Sequence, residues 1–297
     1  EPGIRLDIGQ GSGPPALSFA GRLSFNPLTD SIEMPDGRTF KFDPPTGNEL
    51  PAQGFSRGRA GFEPPPEEGE EIEIPVADNS ERLQLLTPFA PWDGEDLEGL
   101  PVLLKAVGKC TTDHISAAGP WLRFRGHLEN ISGNLYMSAQ NEFSNEAGRG
   151  TDVLTGEKNV PLPELAKRYG TQDVDWVVVA DENYGEGSSR EHAAMEPRHR
   201  GCRAVIARSF ARIAETNLKR QGILPLWFAD PADYERVRET DRVGVRGLKD
   251  LAPGVELRVV LLHEDGTEDE FAVNQTLSGV QVEWFKAGSA LNAMKDR

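Results

Sequence analysis

Asp175-Trp-Val-Val-Val-Ala-Asp-Glu-Asn-Tyr-Gly-Glu-Gly-Ser-Ser-Arg-Glu-His-Ala-Ala-Met-Glu-Pro197 reads as an apolar strand, a glycine-punctuated turn and the start of a helix. Val177, Val178 and Val179 form a β-branched run without polar alternation, the pattern of a strand covered on both faces, as in a parallel sheet. Gly185 and Gly187 let the backbone turn sharply and come close to a ligand. Ser188, Ser189, Arg190 and Glu191 are then expected to open a helix whose unsatisfied amides and positive dipole end face back over the sheet edge, a place that binds anions. The same letters also fit an S-x-x-E capping box, in which Ser188 and Glu191 only satisfy orphan amides. Arg190 separates the two readings. A cation in the first turn opposes the helix dipole unless an anion offsets it, and a carboxylate gripped in two-pronged geometry would be that anion.

Outward from this stretch, strands and helices alternate. Pro101-Val-Leu-Leu-Lys-Ala-Val107, residues 203–207 and Ile223-Leu-Pro-Leu-Trp227 read as strands, and 130–137, 160–169 and 210–220 as helices, which together predict an α/β core. The last third changes character. Residues 242–246, 255–263 and 269–273 read as strands with Asp265-Gly266 as a hairpin signal, and 280–295 as one closing helix with Val282, Phe285, Leu291 and Met294 toward the core.

Residues 1–95 read differently. They carry Gly13-Pro-Pro15, Asp43-Pro-Pro45, Pro64-Pro-Pro66 and the acidic run Glu67-Glu-Gly-Glu-Glu71, the composition of an extended arm or linker. Within it, residues 21–27 and 38–42 flank Pro35-Asp-Gly37 as a small hairpin. The domain expectation is therefore an arm over 1–95 and a globular domain over 96–297.

Lys+Arg 32 against Asp+Glu 48 gives the 297-residue chain a net charge of -16, which argues against general nucleic-acid or anionic-membrane partners. Cys110 and Cys202 are too few for a disulfide framework or an all-protein iron-sulfur site, and read as intracellular thiols. There is no signal-peptide pattern and no run of about 18 apolar residues, so no membrane span is expected. The first residue, Glu1, is not a methionine, so an upstream segment is expected to have been removed or left out.

A second polar segment, Gly108-Lys-Cys-Thr-Thr-Asp-His-Ile-Ser-Ala-Ala-Gly-Pro120, packs small and hydrogen-bonding residues where a plain turn would need few. Asp113 and His114 read as an acid/base pair or as ordinary turn-capping groups. Gly108 to Leu122 in this segment, Phe124-Arg-Gly-His-Leu128, Asp181-Glu-Asn-Tyr-Gly-Glu-Gly-Ser-Ser-Arg-Glu-His-Ala-Ala194 and Ser209-Phe-Ala-Arg-Ile213, in that order, resemble the carboxyl-terminal swivel domain of mitochondrial-type aconitase. The resemblance runs from about Leu17 to Arg297.

The resemblance implies a three-layer α/β swivel-domain core with a C-terminal β-rich portion and helix, preceded by the Pro/Gly-rich arm. It implies Ser188 as the catalytic base, acting as an alkoxide, with Asp113 and His114 supporting the hydroxyl chemistry. It places Ser189, Arg190 and Arg125 at substrate-binding positions. The implied reaction isomerises citrate and isocitrate through cis-aconitate. The implied cofactor is a [4Fe-4S] cluster ligated by domains outside this chain, which would be covalent or separate partners and without which the chain would not turn over. Cys110 falls where the family has a reactive, non-ligating cysteine. The implied compartment is the mitochondrial matrix or bacterial cytoplasm. A homoaconitase or isopropylmalate isomerase small subunit keeps the chemistry and changes the substrate; a non-catalytic interaction module abandons both.

Overall fold

The computed structural model describes residues 25–26, 29–34, 36–43, 73–144 and 146–295. They fall into two units, Glu1–Ile72 and Glu73–Arg297. In the first, strands β1 (Ser31–Glu33) and β2 (Thr39–Lys41) pair antiparallel around a turn at Asp36 and Gly37, whose φ of 81° suits glycine. Phe25 and Phe42 pack edge to face at 6.4 Å. The expected hairpin is present, but its first strand lies at 31–33 instead of 21–27. The tight turn pairs Glu33 with Thr39, so the strands abut it directly. The rest of the arm up to Ile72, including the proline and acidic runs over 64–71, lies outside the described residues.

The second unit begins its regular structure with β3 (Leu97–Thr111), then α1 (Thr112–Ile115), a 3-10 turn (Gly119–Phe124), α2 (Leu128–Ile131) and another 3-10 turn (Ser132–Asn134). It continues through β4 (Arg149–Asp152), β5 (Glu157–Pro161), α3 (Leu162–Thr171), β6 (Trp176–Glu186), α4 (His192–His199), β7 (Cys202–Ala207), α5 (Arg212–Arg220) and β8 (Leu224–Phe228). The last third supplies β9 (Arg242–Arg246), β10 (Leu257–Leu262), β11 (Glu268–Asn274), α6 (Gly279–Lys286) and α7 (Ala290–Lys295).

The α/β class is borne out, with the sheet closed on itself. Seven strands form a barrel in the order β10-β11-β8-β7-β6-β3-β9. β3, β6, β7 and β8 are mutually parallel, and β9, β10 and β11 close the remaining links antiparallel. The unbroken valine run follows from this. Val177 and Val179 face the barrel interior with Ile206, Leu226, Val243 and Val259, while Val178 and Ala180 face an outer core with Leu104, Leu165 and Val205. Both faces of β6 are dry, so apolar residues occur at every position rather than every second one.

Three elements differ from their expected extent. β3 runs fifteen residues, past Gly108, because register shifts along its pairing with β6 absorb the glycine without ending the strand. The helix expected over 130–137 is instead the short α2 and a 3-10 turn, and Ser132 Oγ donates back to the Leu128 carbonyl at 2.7 Å. The closing helix is two helices, broken where Gly288 takes a φ of 88°. Val282 and Phe285 are buried as expected, but Leu291 and Met294 are 76% and 66% exposed on the far side of that break.

Residues 73–95, grouped with the arm in the sequence reading, run along the body of the second unit. Trp92 N–H donates to the Lys286 carbonyl and its ring lies 5.6 Å from Phe285. Arg198 and Asn292 hydrogen-bond the carbonyls of Ala90 and Phe89. Gln84 receives the Glu129 N–H on its side chain, and its own N–H donates to the Gly126 carbonyl.

Candidate active site

Two adjacent parallel strands deliver the two polar segments to one place. β3 and β6 end side by side, with Thr111 paired to Glu186, so α1 and the Gly185–Arg190 turn leave from the same carboxyl-terminal edge. In α/β sheets this is where ligands bind. Asp181 anchors the edge: it accepts from Gly108 N–H at 3.0 Å and from Arg208 at 2.8 Å.

Gly185, at a φ of 79°, passes so close to α5 that a Cβ there would fall onto Ala214 Cβ. The chain then turns through Gly187, whose φ is 116°. The expected capping box is not formed. The helix starts at His192, its N-cap is Glu191, and no side chain caps it. Ser188 and Ser189 are exposed in the turn before it, and the N–H groups of Ser188, Ser189 and Arg190 find no acceptor among the described residues. Open amides beside a guanidinium form an anion-favouring surface.

Arg190 is held from one side. Its Nη1 donates to Asp113 Oδ1 at 2.7 Å and to the Ser116 carbonyl at 2.7 Å, both at α1. Among the described residues Nε and Nη2 have no partner, which leaves one edge of the fork for a ligand. Asp113 is thereby an ion-pair partner of Arg190 rather than one half of a dyad with His114. His114 takes part in capping α1: its Nδ1 accepts from Thr111 N–H at 3.2 Å, and its own N–H donates to Thr111 Oγ1.

The 3-10 turn brings Arg125 to the same edge. His192 Nε2 lies 3.0 Å from the Arg125 carbonyl, and the Arg125 side chain is exposed. Ser188, Arg190, Asp113, His114 and Arg125 are thus gathered around α1 and the start of α4, with Ser189 beside them. Ser188 and Arg190 line a small pocket with Thr112, Tyr184 and Asn217.

Three residues here carry no role in the sequence reading. Thr112 is buried with its hydroxyl unpartnered among the described residues. Ser116 Oγ donates to Glu196 Oε1 at 2.6 Å, and burial pushes the Glu196 carboxyl up to about 8. Thr112 and Ser116 lie inside the quoted polar segment, and their crowding was the available signal. Glu196 has none, since a glutamate in a helical stretch ordinarily faces water.

The cysteines do not fit a cluster. Cys110 and Cys202 are 2% and 0% exposed, and burial raises both thiols, that of Cys110 to about 12, against the thiolate a metal needs. Among the described residues no group of three His, Cys, Asp or Glu side chains is arranged to hold a metal. Nor is any described helix long and apolar enough to cross a membrane.

Comparison with known proteins points one way. Residues 100–231 match the family described as the aconitase C-terminal domain. A probable mitochondrial aconitate hydratase of Dictyostelium discoideum is 53% identical over 281 residues, which is 94% of this chain and 36% of that protein. The mitochondrial aconitate hydratase of Saccharomyces cerevisiae is 49% identical over 280 residues, 94% of this chain and 36% of its own length. The chain therefore spans about a third of the curated relatives it matches. A solved 3-isopropylmalate dehydratase of Methanocaldococcus jannaschii aligns with a TM-score of 0.44 at 23% identity, covering 68% of this chain and 95% of its own.

Proposed function

We propose, from the match of residues 100–231 to the aconitase C-terminal domain family, that the chain forms the swivel part of an aconitate hydratase, a hydro-lyase that interconverts citrate and isocitrate through cis-aconitate. In this reading it works in mitochondria, as its relatives are named, and docks on cluster-bearing domains outside the chain. The [4Fe-4S] cluster belongs to those domains. The residues here bind, orient and move a proton.

One observation carries the reading: Arg190 is tied to α1 through a single nitrogen while its remaining edge stays open beside Ser188. A tricarboxylate needs cationic forks at separated points, and Arg190 with Arg125 offers two. Ser188 is the base. A free serine hydroxyl is far too weakly acidic to hold a proton-accepting alkoxide, so the open amides of the turn and the Arg190 charge must stabilise its oxyanion. Asp113 fixes Arg190 by charge, and His114 holds the α1 turn that carries Asp113. Ser189 adds a hydroxyl at the rim.

The test uses the assembled enzyme. Ser188→Ala and Arg125→Lys are each expected to lower citrate and isocitrate turnover by about 1000-fold. Circular dichroism and the melting transition should not change, because both side chains are exposed. Turnover within a few-fold of wild type in either variant would remove that residue from the site.

A further inference from the structure

Glu196 sits in α4 with no solvent exposure, an unusual place for a carboxyl group. Its Oε1 is 2.6 Å from Ser116 Oγ, and its Oε2 has no partner among the described residues. The carbonyl of the same Ser116 accepts from Arg190 Nη1 at 2.7 Å. Arg190 and Glu196 lie six positions apart in sequence, so the segment opening α4 grips one residue by both of its oxygen atoms. Ser116 is itself the C-cap of α1, with its N–H bonded to the Thr112 carbonyl.

We propose that Glu196 is a positioning residue for the carboxylate clamp: its hydrogen bond to Ser116 fixes the carbonyl from which Arg190 hangs, and so sets the direction of the guanidinium edge offered to substrate. This rests on the reading of Arg190 as a substrate-binding residue. The chemistry favours a buried acid over a packing residue. A carboxyl at this depth costs free energy that an apolar side chain of the same volume would not, and the bond to Ser116, with a smaller contribution from the Arg200 charge, offsets part of it. Held largely protonated at neutral pH by its burial, the group bonds the Ser116 hydroxyl without carrying a full negative charge into the core.

Steady-state kinetics of the assembled enzyme test it. Glu196→Ala should raise KM for isocitrate about 10-fold or more, because a misdirected guanidinium edge loses its grip on the substrate carboxylate, and should lower kcat as well, because the same charge supports the Ser188 oxyanion. Glu196→Gln keeps the acceptor oxygen and should restore KM to within about 2-fold of wild type. In an Arg190→Lys background, Glu196→Ala should add nothing further to KM, since the fork it positions is gone. An unchanged KM in Glu196→Ala, equal damage in Glu196→Gln, or full additivity with Arg190→Lys would overturn the proposal. Should Glu196→Ala fail to fold, Ser116→Ala removes the same link and should raise KM in the same way. A second readout is independent of activity. In the 297-residue chain, nitrogen-15 NMR should show the Arg190 guanidinium signals sharp in wild type and Glu196→Gln and averaged in Glu196→Ala. Identical Arg190 signals in all three would refute the positioning link even if the enzyme proved to act on another substrate. Failure of wild type to turn over tricarboxylates would refute only the functional reading.

Discussion

A carboxyl group whose pKa is raised by burial makes folding respond to pH in the opposite sense from an ion-paired one. Glu196 is lifted from about 4.5 to about 8, chiefly by desolvation, with the Ser116 hydrogen bond and the positive charge of Arg200 pulling the other way. Between those two values the folded chain holds a proton that the unfolded chain has released, so stability falls as pH rises from about 4.5 to about 8 and levels off above. Glu196→Gln removes the titration. Denaturant unfolding between pH 5 and 8 should therefore lose stability more steeply in wild type than in the variant, by about 1.4 kcal/mol for each pKa unit of displacement. Parallel slopes would mean that the group is ionised in the fold. Sequence pattern cannot reveal such a residue. Ser188, Ser189 and Arg190 stand out because glycines and an uncompensated first-turn cation surround them, whereas Glu196 follows Ala-Ala-Met in a helix and looks like any solvated acid. Asp113 and His114 were legible as polar residues of the candidate site. Their partners were not, because contacts to Arg190 and Thr111 depend on α1 being a single helical turn.

At the scale of elements, the approach of β6 to α5 decides where Ser188 sits. Gly185 and Tyr184 lie at the end of β6, where Tyr184 pairs with Phe210 just before α5 and bonds Tyr136 hydroxyl to hydroxyl at 2.6 Å. Gly185 meets two demands at once: a left-handed φ and no Cβ against Ala214. Gly185→Ala must therefore push α5 away or distort the turn, and is expected to cost about 2–4 kcal/mol. Differential scanning calorimetry should show the melting temperature fall, and under the proposed role of Ser188 turnover of the assembled enzyme should fall further than stability alone explains, since the displaced turn carries that serine. A melt within a degree of wild type would show that α5 gives way freely. Gly187 meets the same kind of demand less strictly, with only Thr112 Oγ1 near its missing Cβ. That glycines here permit a sharp turn was readable from the letters. Which neighbour forbids a side chain was not, because it comes from α5, about thirty positions further along the chain. The closing helix shows the converse. Its apolar spacing runs smoothly across Gly288, so the pattern reads as one helix, yet the glycine's positive φ turns Leu291 and Met294 out of the core.

For the second unit as a whole, barrel closure joins distant parts of the chain. β3 lies between β6, its parallel partner, and β9, an antiparallel strand from the last third, so the barrel cannot close until β9 has docked. The α/β alternation and the strand-rich last third were each legible separately. Their union in one barrel was not, since only β9 against β3 and β11 against β8 join them, and neither pairing leaves a local mark in the sequence. Residues 73–95 show the same limit. Proline and glycine make their composition that of a linker, but they act as a strap across the outside of the barrel. Phe89 stacks against Arg198 at 5.1 Å, the Ala90 carbonyl lies where a Cβ on Gly288 would have to go, and Trp92 joins Phe285 in the inner core. The strap also covers Arg198, which is buried and satisfied through the carbonyls of Ala90 and Gln221. Removing it would expose part of that core and strip Arg198 of one acceptor, a loss of about 2–4 kcal/mol. A chain beginning at Glu73 contains the whole strap and is expected to unfold in one cooperative transition. One beginning at Asp96 should melt lower by about 5–10 °C. Equal melting temperatures for the two truncations would reduce residues 73–95 to the linker that their composition describes.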